Sequence, residues 1–379
     1  MLGKPKNQKR VAARSTATLF CFLVGYSYKT RVKSISNSKR MLALMNSARK
    51  TFGLIALILV TLLSSLLIKS CTLGGEATLK PFKVGMNSWP GYALALYAKE
   101  AGLFKKRGLD VEFVRFTNQQ DNIRATMRGA QDASFVPLWE IMQVDPAGDK
   151  PVVMMVVDIS AGSDGIAAAS EIKTPKDLKG KKVSTKLGTV THLILLEALK
   201  SNQLKPTDVE IVDASNDRGA ELLKKGEVSA AVMWEPLLGN TAKAVGGKVI
   251  HTTADVDSIV IDTLASRSSV VNSKQDELVS FIETWFDAIH VVETKPQEVF
   301  TSVAKQTKQT VEAFTEDYKG LKKGDIAMNK RMFAGGRLQE ASKLTRELLR
   351  EDPRHGRVIR DDVEIDAVPL NKAIANWKA

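Results

Sequence analysis

Cysteine is nearly missing from this chain of 379 residues: Cys21 and Cys71 are the only two, and both precede the first acidic residue, Glu76. Everything after Cys71 therefore lacks a disulfide, a thiolate metal site and a cysteine nucleophile. Acidic residues are missing from the first 71 positions, which carry 13 Lys and Arg. Beyond Cys71 the basic and acidic residues balance at 42 each, so the formal charge of +13 belongs to the leader alone. A neutral body has no basic stripe for a phosphate backbone, which excludes nucleic acid as a partner. Also missing are a P-loop, a GxGxxG fingerprint, a Ser/His/Asp spacing and an HExxH zinc pair, since "HLILLE" at 192–197 has the wrong spacing. No catalytic residue, cofactor or metal is implied.

What the leader does contain is a targeting pattern. Arg49 and Lys50 precede an uncharged apolar run from Phe52 to Ile68, 17 residues long, at the short end for crossing a bilayer. The run ends at Cys71 in a way that resembles a bacterial lipoprotein signal, although Lys69 departs from the small or apolar residue usual there. The expectation is lipidation at Cys71, or an uncleaved anchor; either way the body lies outside the cytoplasmic membrane and is tethered to it. Residues 1–44 read as a basic extension, from an upstream reading-frame start or a disordered stretch, 45–71 as the signal segment and 72–80 as a linker.

From Pro81 the chain alternates short β-rich runs with helical ones: "FKVGMN", Tyr92–Leu103, "LDVEFVRF", Gln119–Arg128, "DASFV". Such alternation predicts a mostly parallel sheet covered by helices. The pattern recurs: "DVEIV" at 208–212 echoes "DVEFV" at 110–114, an offset of 98, and "GEVSAAVMWEP" echoes "GAQDASFVPLWE" at 97. Val84 matches Val183 at 99. Two α/β lobes of similar topology follow, and ligands of open α/β sheets bind beyond the carboxyl ends of the strands. Trp89 and Tyr92 sit on the turn after the first strand, where rigid apolar faces would cover a small ligand.

The stretches "VGMNSWPGYALALYAKEAGLFKKRGLDVEFV", "ASFVPLWE", "SAGSDGIAA", "LKGKKVSTKLGTVTHLILLEAL" and "AAVMWEP" together resemble solute-binding proteins of bacterial ABC importers. The group is the nitrate/sulfonate/taurine type, related to thiamine-pyrimidine binders, and the resemblance covers roughly residues 81 to 300. It implies a type II periplasmic-binding fold of two hinged lobes that delivers its ligand to a permease and its ATPase, acting as a monomer. Residues 81–173 are expected to begin the first lobe and 174–253 to form the second. Residues 254–379 would return to the first and add C-terminal helices there.

Candidate ligand contacts come from both lobes, because a ligand drives closure only by touching both. They are Trp89, Tyr92, Asn118, Gln119, Pro137, Leu138 and Asp164, then Gly188, Thr189, Thr191, His192, Asn216, Trp234 and Glu235. In "KLGTVTHLILLEAL" the free backbone N–H groups of Thr191 and His192 would form an anion site at a helix N-terminus. Acids at 121, 140, 164, 217, 235, 255 and 257 outnumber Lys186 and Arg218 in these turns. That balance disfavours a bare nitrate or bicarbonate and favours a zwitterion such as taurine, with an aminopyrimidine as the alternative. A pyrimidine-synthase-like enzyme would share the fold but needs a cysteine-rich motif that is not present after Cys71.

Overall fold

The structure, a computed structural model, describes residues 78–145 and 148–379. The leader, with its expected lipidation at Cys71, and residues 72–77 of the linker lie outside the described residues. No helix among the described residues is long and apolar enough to cross a membrane.

Two sheets organise the fold. The first contains β1 (Lys80–Met86), β2 (Leu109–Arg115), β3 (Ala133–Pro137) and β4 (Pro151–Ser160). The second contains β5 (Asp164–Ala168), β6 (Lys182–Thr185), β7 (Glu210–Asp213), β8 (Ala230–Trp234) and β9 (Lys248–Thr252). The chain then returns to the first sheet as β10 (Ile261–Arg267), followed by the short strands β11 (Leu321–Lys323) and β12 (Glu364–Ile365). The strand orders are β11-β4-β10-β3-β1-β2 and β7-β6-β8-β5-β9, with β12 beside β4.

Aligned on β1 and β6, the two orders coincide. Val84 faces Phe113 and Ala133, and Val183 faces Ile211 and Ala230, so the echoed segments hold equivalent places in equivalent registers. In each sheet the strand after the parallel trio is antiparallel and has crossed from the other sheet: β10 beside β3, and β5 beside β8. This exchange corrects the expected division at 173/174, since Asp164–Ala168 is hydrogen-bonded into the second sheet. A boundary drawn where the second helical unit starts misses a strand whose partners come later in the chain.

β4, "PVVMMVVDIS", is buried along its whole length, as expected for a continuous apolar run covered on both faces. The helix Gln275–Thr294 closes one side, its Phe281 and Trp285 packing on Phe82, Phe104 and Phe135. The C-terminal helices do not keep to the first sheet as expected. The helix Arg337–Glu351 packs against the helix Val190–Ser201 of the second, Lys200 pairs with Glu351, and Arg354 donates to the Pro206 carbonyl. Between the sheets run the crossings β4 to β5 and β9 to β10, stitched by Ser160, whose hydroxyl meets that of Thr253 at 2.7 Å.

Candidate functional site

One cleft of about 180 Å³ gathers the ends of equivalent strands from both sheets. The first sheet supplies Asn87, Trp89 and Tyr92 after β1, Thr117, Asn118 and Gln119 after β2, and Pro137 and Glu140 after β3. The second supplies Lys186, Thr189 and Val190 after β6, Ser215, Asn216 and Asp217 after β7, and Trp234 at the end of β8. The crossings add Asp164, Val260 and Asp262. Its volume lies below the roughly 300–1,000 Å³ of drug-sized sites, which suits a small molecule.

The tight Trp89–Tyr92 turn has a specific anchor. Asp158 on β4 and Asp262 on β10 are cross-strand partners. The Trp89 indole N–H donates to both oxygens of Asp158, at 3.1 and 3.3 Å, and the Tyr92 hydroxyl donates to Asp262. Two carboxyls directly opposite each other repel when both are ionised, so each takes a neutral donor from the turn. Gly91 is required between the two aromatics: a Cβ there would lie 1.9 Å from Asp158 Oδ2. Gly91→Ala is expected to push Asp158 away from Trp89 and lower the melting temperature by several degrees, measured by calorimetry. An unchanged melting temperature would show that the turn does not depend on this approach.

Asp164 repeats Asp262 in the other sheet. Asp262 faces Pro137 across β3, and Asp164 faces Trp234 across β8, the position equivalent to Pro137. Glu140, Asp158, Asp164 and Asp262 are each almost fully buried. Burial pushes Glu140 up to about 8, against a hydrogen bond from the Val190 N–H and the nearby Arg357 charge. Burial likewise raises Asp158 and Asp164 to about 7, against donors from Trp89 and Ser160 respectively. Asp262 lies well above the carboxylate range through burial and the neighbouring Asp158. Among the described residues Lys186 is the sole basic side chain lining the cleft, and it pairs with Asp213 at 2.9 Å.

Of the residues expected from sequence, the cleft brings together Trp89, Tyr92, Asn118, Gln119, Pro137, Asp164, Thr189, Asn216 and Trp234. Tyr92 does so differently than expected: its ring stacks on Phe135 in the core, so its hydroxyl end, also bound by Gln119, faces the site. Leu138 is a core residue, buried in an apolar cluster to which both sheets contribute. Gly188 holds its turn at φ 73° and gives its carbonyl to Gln120 and Gln143. Thr191 is buried, its hydroxyl bonded by Thr185.

His192 is fully buried between the Gly188 N–H, which it accepts at Nδ1, and Asp352, 2.9 Å from Nε2. It anchors the C-terminal segment, a partner 160 positions away that no local pattern announces. Glu235 accepts from the Gly239 N–H and so caps its own helix. The expected anion site at the helix N-terminus is partly occupied: the His192 N–H is taken, and the Thr191 N–H has no acceptor among the described residues. Glu140 accepts from the Val190 N–H at 3.3 Å, and the His192 N–H bonds the Thr189 carbonyl. Asp121, Asp255 and Asp257 are likewise spent on capping or ion pairs.

Asp262, which lines the cleft, and Asp158, which holds the Trp89 indole from outside the lining, are not among the residues expected from sequence. Each is a lone acid in an apolar strand, "VVMMVVDIS" and "SIVIDTLAS", and a buried charge in such a run needs a partner or a proton. That was the available signal.

Two sheets of this topology, joined by two crossings round a ligand-sized cleft, define a periplasmic-binding-type fold. Residues 89–299 match the family described as NMT1/THI5 like, and the chain belongs to it. A Brachyspira hyodysenteriae protein provisionally named an ABC transporter periplasmic binding protein is 25% identical over 340 residues, 78% of this chain and 95% of that one. The taurine-binding periplasmic protein of Escherichia coli K12 is 24% identical over 189 residues, 48% of this chain and 58% of its own. Proteins of Brucella abortus, provisionally named binding proteins, are 29% identical over 45% of this chain. The chain spans about half, 52%, of the length of those Brucella relatives.

The crystal structure of the periplasmic aliphatic sulphonate binding protein of Escherichia coli superposes with a TM-score of 0.57 at 19% identity. It covers 70% of this chain and 94% of its own. A desulfurization enzyme shares the fold at a TM-score of 0.57 and 15% identity, over 78% of this chain and 99% of its own.

Proposed function

We propose that this chain is the extracytoplasmic solute-binding component of an ABC importer. It takes a small organic ligand, such as taurine or an aliphatic sulfonate, between two lobes and delivers it to a permease and its ATPase. One observation carries the reading: equivalent strand-end turns of both sheets face one cleft across two crossings. A ligand touching both sides is the kind that drives closure about so narrow a waist. The named ligands of the taurine- and sulphonate-binding relatives support the ligand class.

In the same reading the body works outside the cytoplasmic membrane as a monomer, tethered through Cys71 or an uncleaved leader. It binds rather than converts its ligand, since no cysteine follows Cys71 and His192 is consumed by Asp352. Thermal-shift screening against taurine, alkanesulfonates, nitrate and aminopyrimidines tests the proposal. One ligand should raise the melting temperature by several degrees at millimolar concentration, as mass action requires. Silence across the whole panel counts against it.

A further inference from the structure

We propose that the ligand carries a cationic nitrogen, held between Glu140 and Asp164 and roofed by Trp89 and Trp234. This rests on the reading of the cleft as the solute site and deepens it by naming the charge that the site selects. Two buried oxygens point to it. Glu140 Oε2 and Asp164 Oδ2 have no hydrogen-bond partner, although Glu140 is 2% and Asp164 1% exposed. A buried carboxylate oxygen without a donor costs free energy that a ligand N–H can recover.

Both residues line the same cleft, one from each sheet, so a cationic nitrogen between them would bridge the two halves. The indoles of Trp89 and Trp234 line it too, and aromatic faces attract cations.

The charges around these two groups agree. Asp262 adds acid to the lining, Asp158 lies behind it against Trp89, and Glu235 lies near Asp164. The opposing positive charge near Glu140 is Arg357, which packs against the Gly188 turn and forms no ion pair with Glu140 among the described residues. Lys186, paired with Asp213, is left to meet an anionic end if the ligand has one. Of the donors at this helix N-terminus, a bare alkanesulfonate would find the Val190 N–H taken by Glu140 and the His192 N–H by the Thr189 carbonyl, which leaves it the Thr191 N–H beside two acids. A metal ion is poorly served, because no three metal-ligating side chains converge among the described residues.

Protons supply the signature. Near pH 7 the raised Glu140 and Asp164 are partly protonated, and a cation stabilises their ionised forms, so binding must release protons. Affinity should therefore rise with pH, by up to about tenfold per unit for each proton released, between pH 6 and 7.5. An anion entering the same site would take protons up.

The test is calorimetry on the full chain with taurine, ethanesulfonate and 4-aminopyrimidine, in buffers of differing ionisation enthalpy, with calcium and zinc as controls. Taurine, an ammonium throughout this range, should bind with proton release, and 4-aminopyrimidine, neutral in solution, should bind by taking a carboxyl proton with little net release. Ethanesulfonate should bind at least about a hundredfold more weakly than taurine. Glu140→Gln and Asp164→Asn should each weaken binding at least about tenfold and cut the released protons, while melting at or above the wild-type temperature without ligand. Ethanesulfonate binding as tightly as taurine, proton uptake, unaltered affinity in both variants, or preference for a metal ion would overturn the cation site and leave solute binding standing. Failure of every compound to bind would overturn both.

Discussion

Trp89→Ala is expected to weaken ligand binding at least about tenfold and to reduce the ligand-induced change in tryptophan fluorescence to the share of Trp234. Three consequences combine. A wall of the cleft disappears, the Asp158 carboxyl loses its indole donor, and a buried cavity opens where the side chain was 6% exposed. Truncating a buried Trp typically costs about 3–5 kcal/mol, so reduced folded stability should accompany the loss. Trp89→Phe separates the effects. It keeps an apolar face towards the cleft but removes the N–H, so it should hold more affinity than the alanine variant while Asp158 becomes harder to ionise. Wild-type affinity in Trp89→Ala, measured by titration calorimetry, would remove Trp89 from the site.

The second large effect is the pH dependence of the unliganded protein. Glu140, Asp158 and Asp164 titrate at about 8, 7 and 7 in the folded chain and near ordinary carboxyl values when unfolded. Between those limits the folded state binds more protons, so stability falls as pH rises. Their favourable contribution is complete below about pH 4 and is lost as pH climbs through 7 to 8. Asp352 works in the opposite sense, held well below the carboxylate range by His192 and Arg354 despite partial burial. Its contribution is lost only in strong acid, outside this window. Urea unfolding at pH 5.5, 7 and 8.5 should show a decline of several kcal/mol across the series. Glu140→Gln should make it shallower, leaving the share of Asp158 and Asp164. A flat wild-type profile would mean that these carboxyls are hydrated and the floor of the cleft is wet.

The fold was legible because its signals are local and repeated. "DVEFV" and "DVEIV" lie on β2 and β7, each pairing in parallel with the first strand of its own sheet. Gly188 and the Trp89–Pro90–Gly91 turn marked strand ends, and those ends meet at the cleft. Errors arose where a side chain had two local uses. Glu235 could face a ligand or cap a helix, and it caps. Thr191 could cap or be buried, and a first-turn position facing the interior buries it.

By itself the sequence determined two α/β units and the turns that border a cleft, because strand alternation, turn glycines and helix starts are written within a few neighbouring residues. Only the tertiary structure decided the charge of the cleft. Asp158 meets Asp262 across a strand pair, Asp352 claims His192 from 160 positions away, and Glu140 accepts the first N–H of a helix in the other half. Whether a carboxyl is buried, paired or left facing a ligand depends on what packs around it, and those neighbours come from distant parts of the chain.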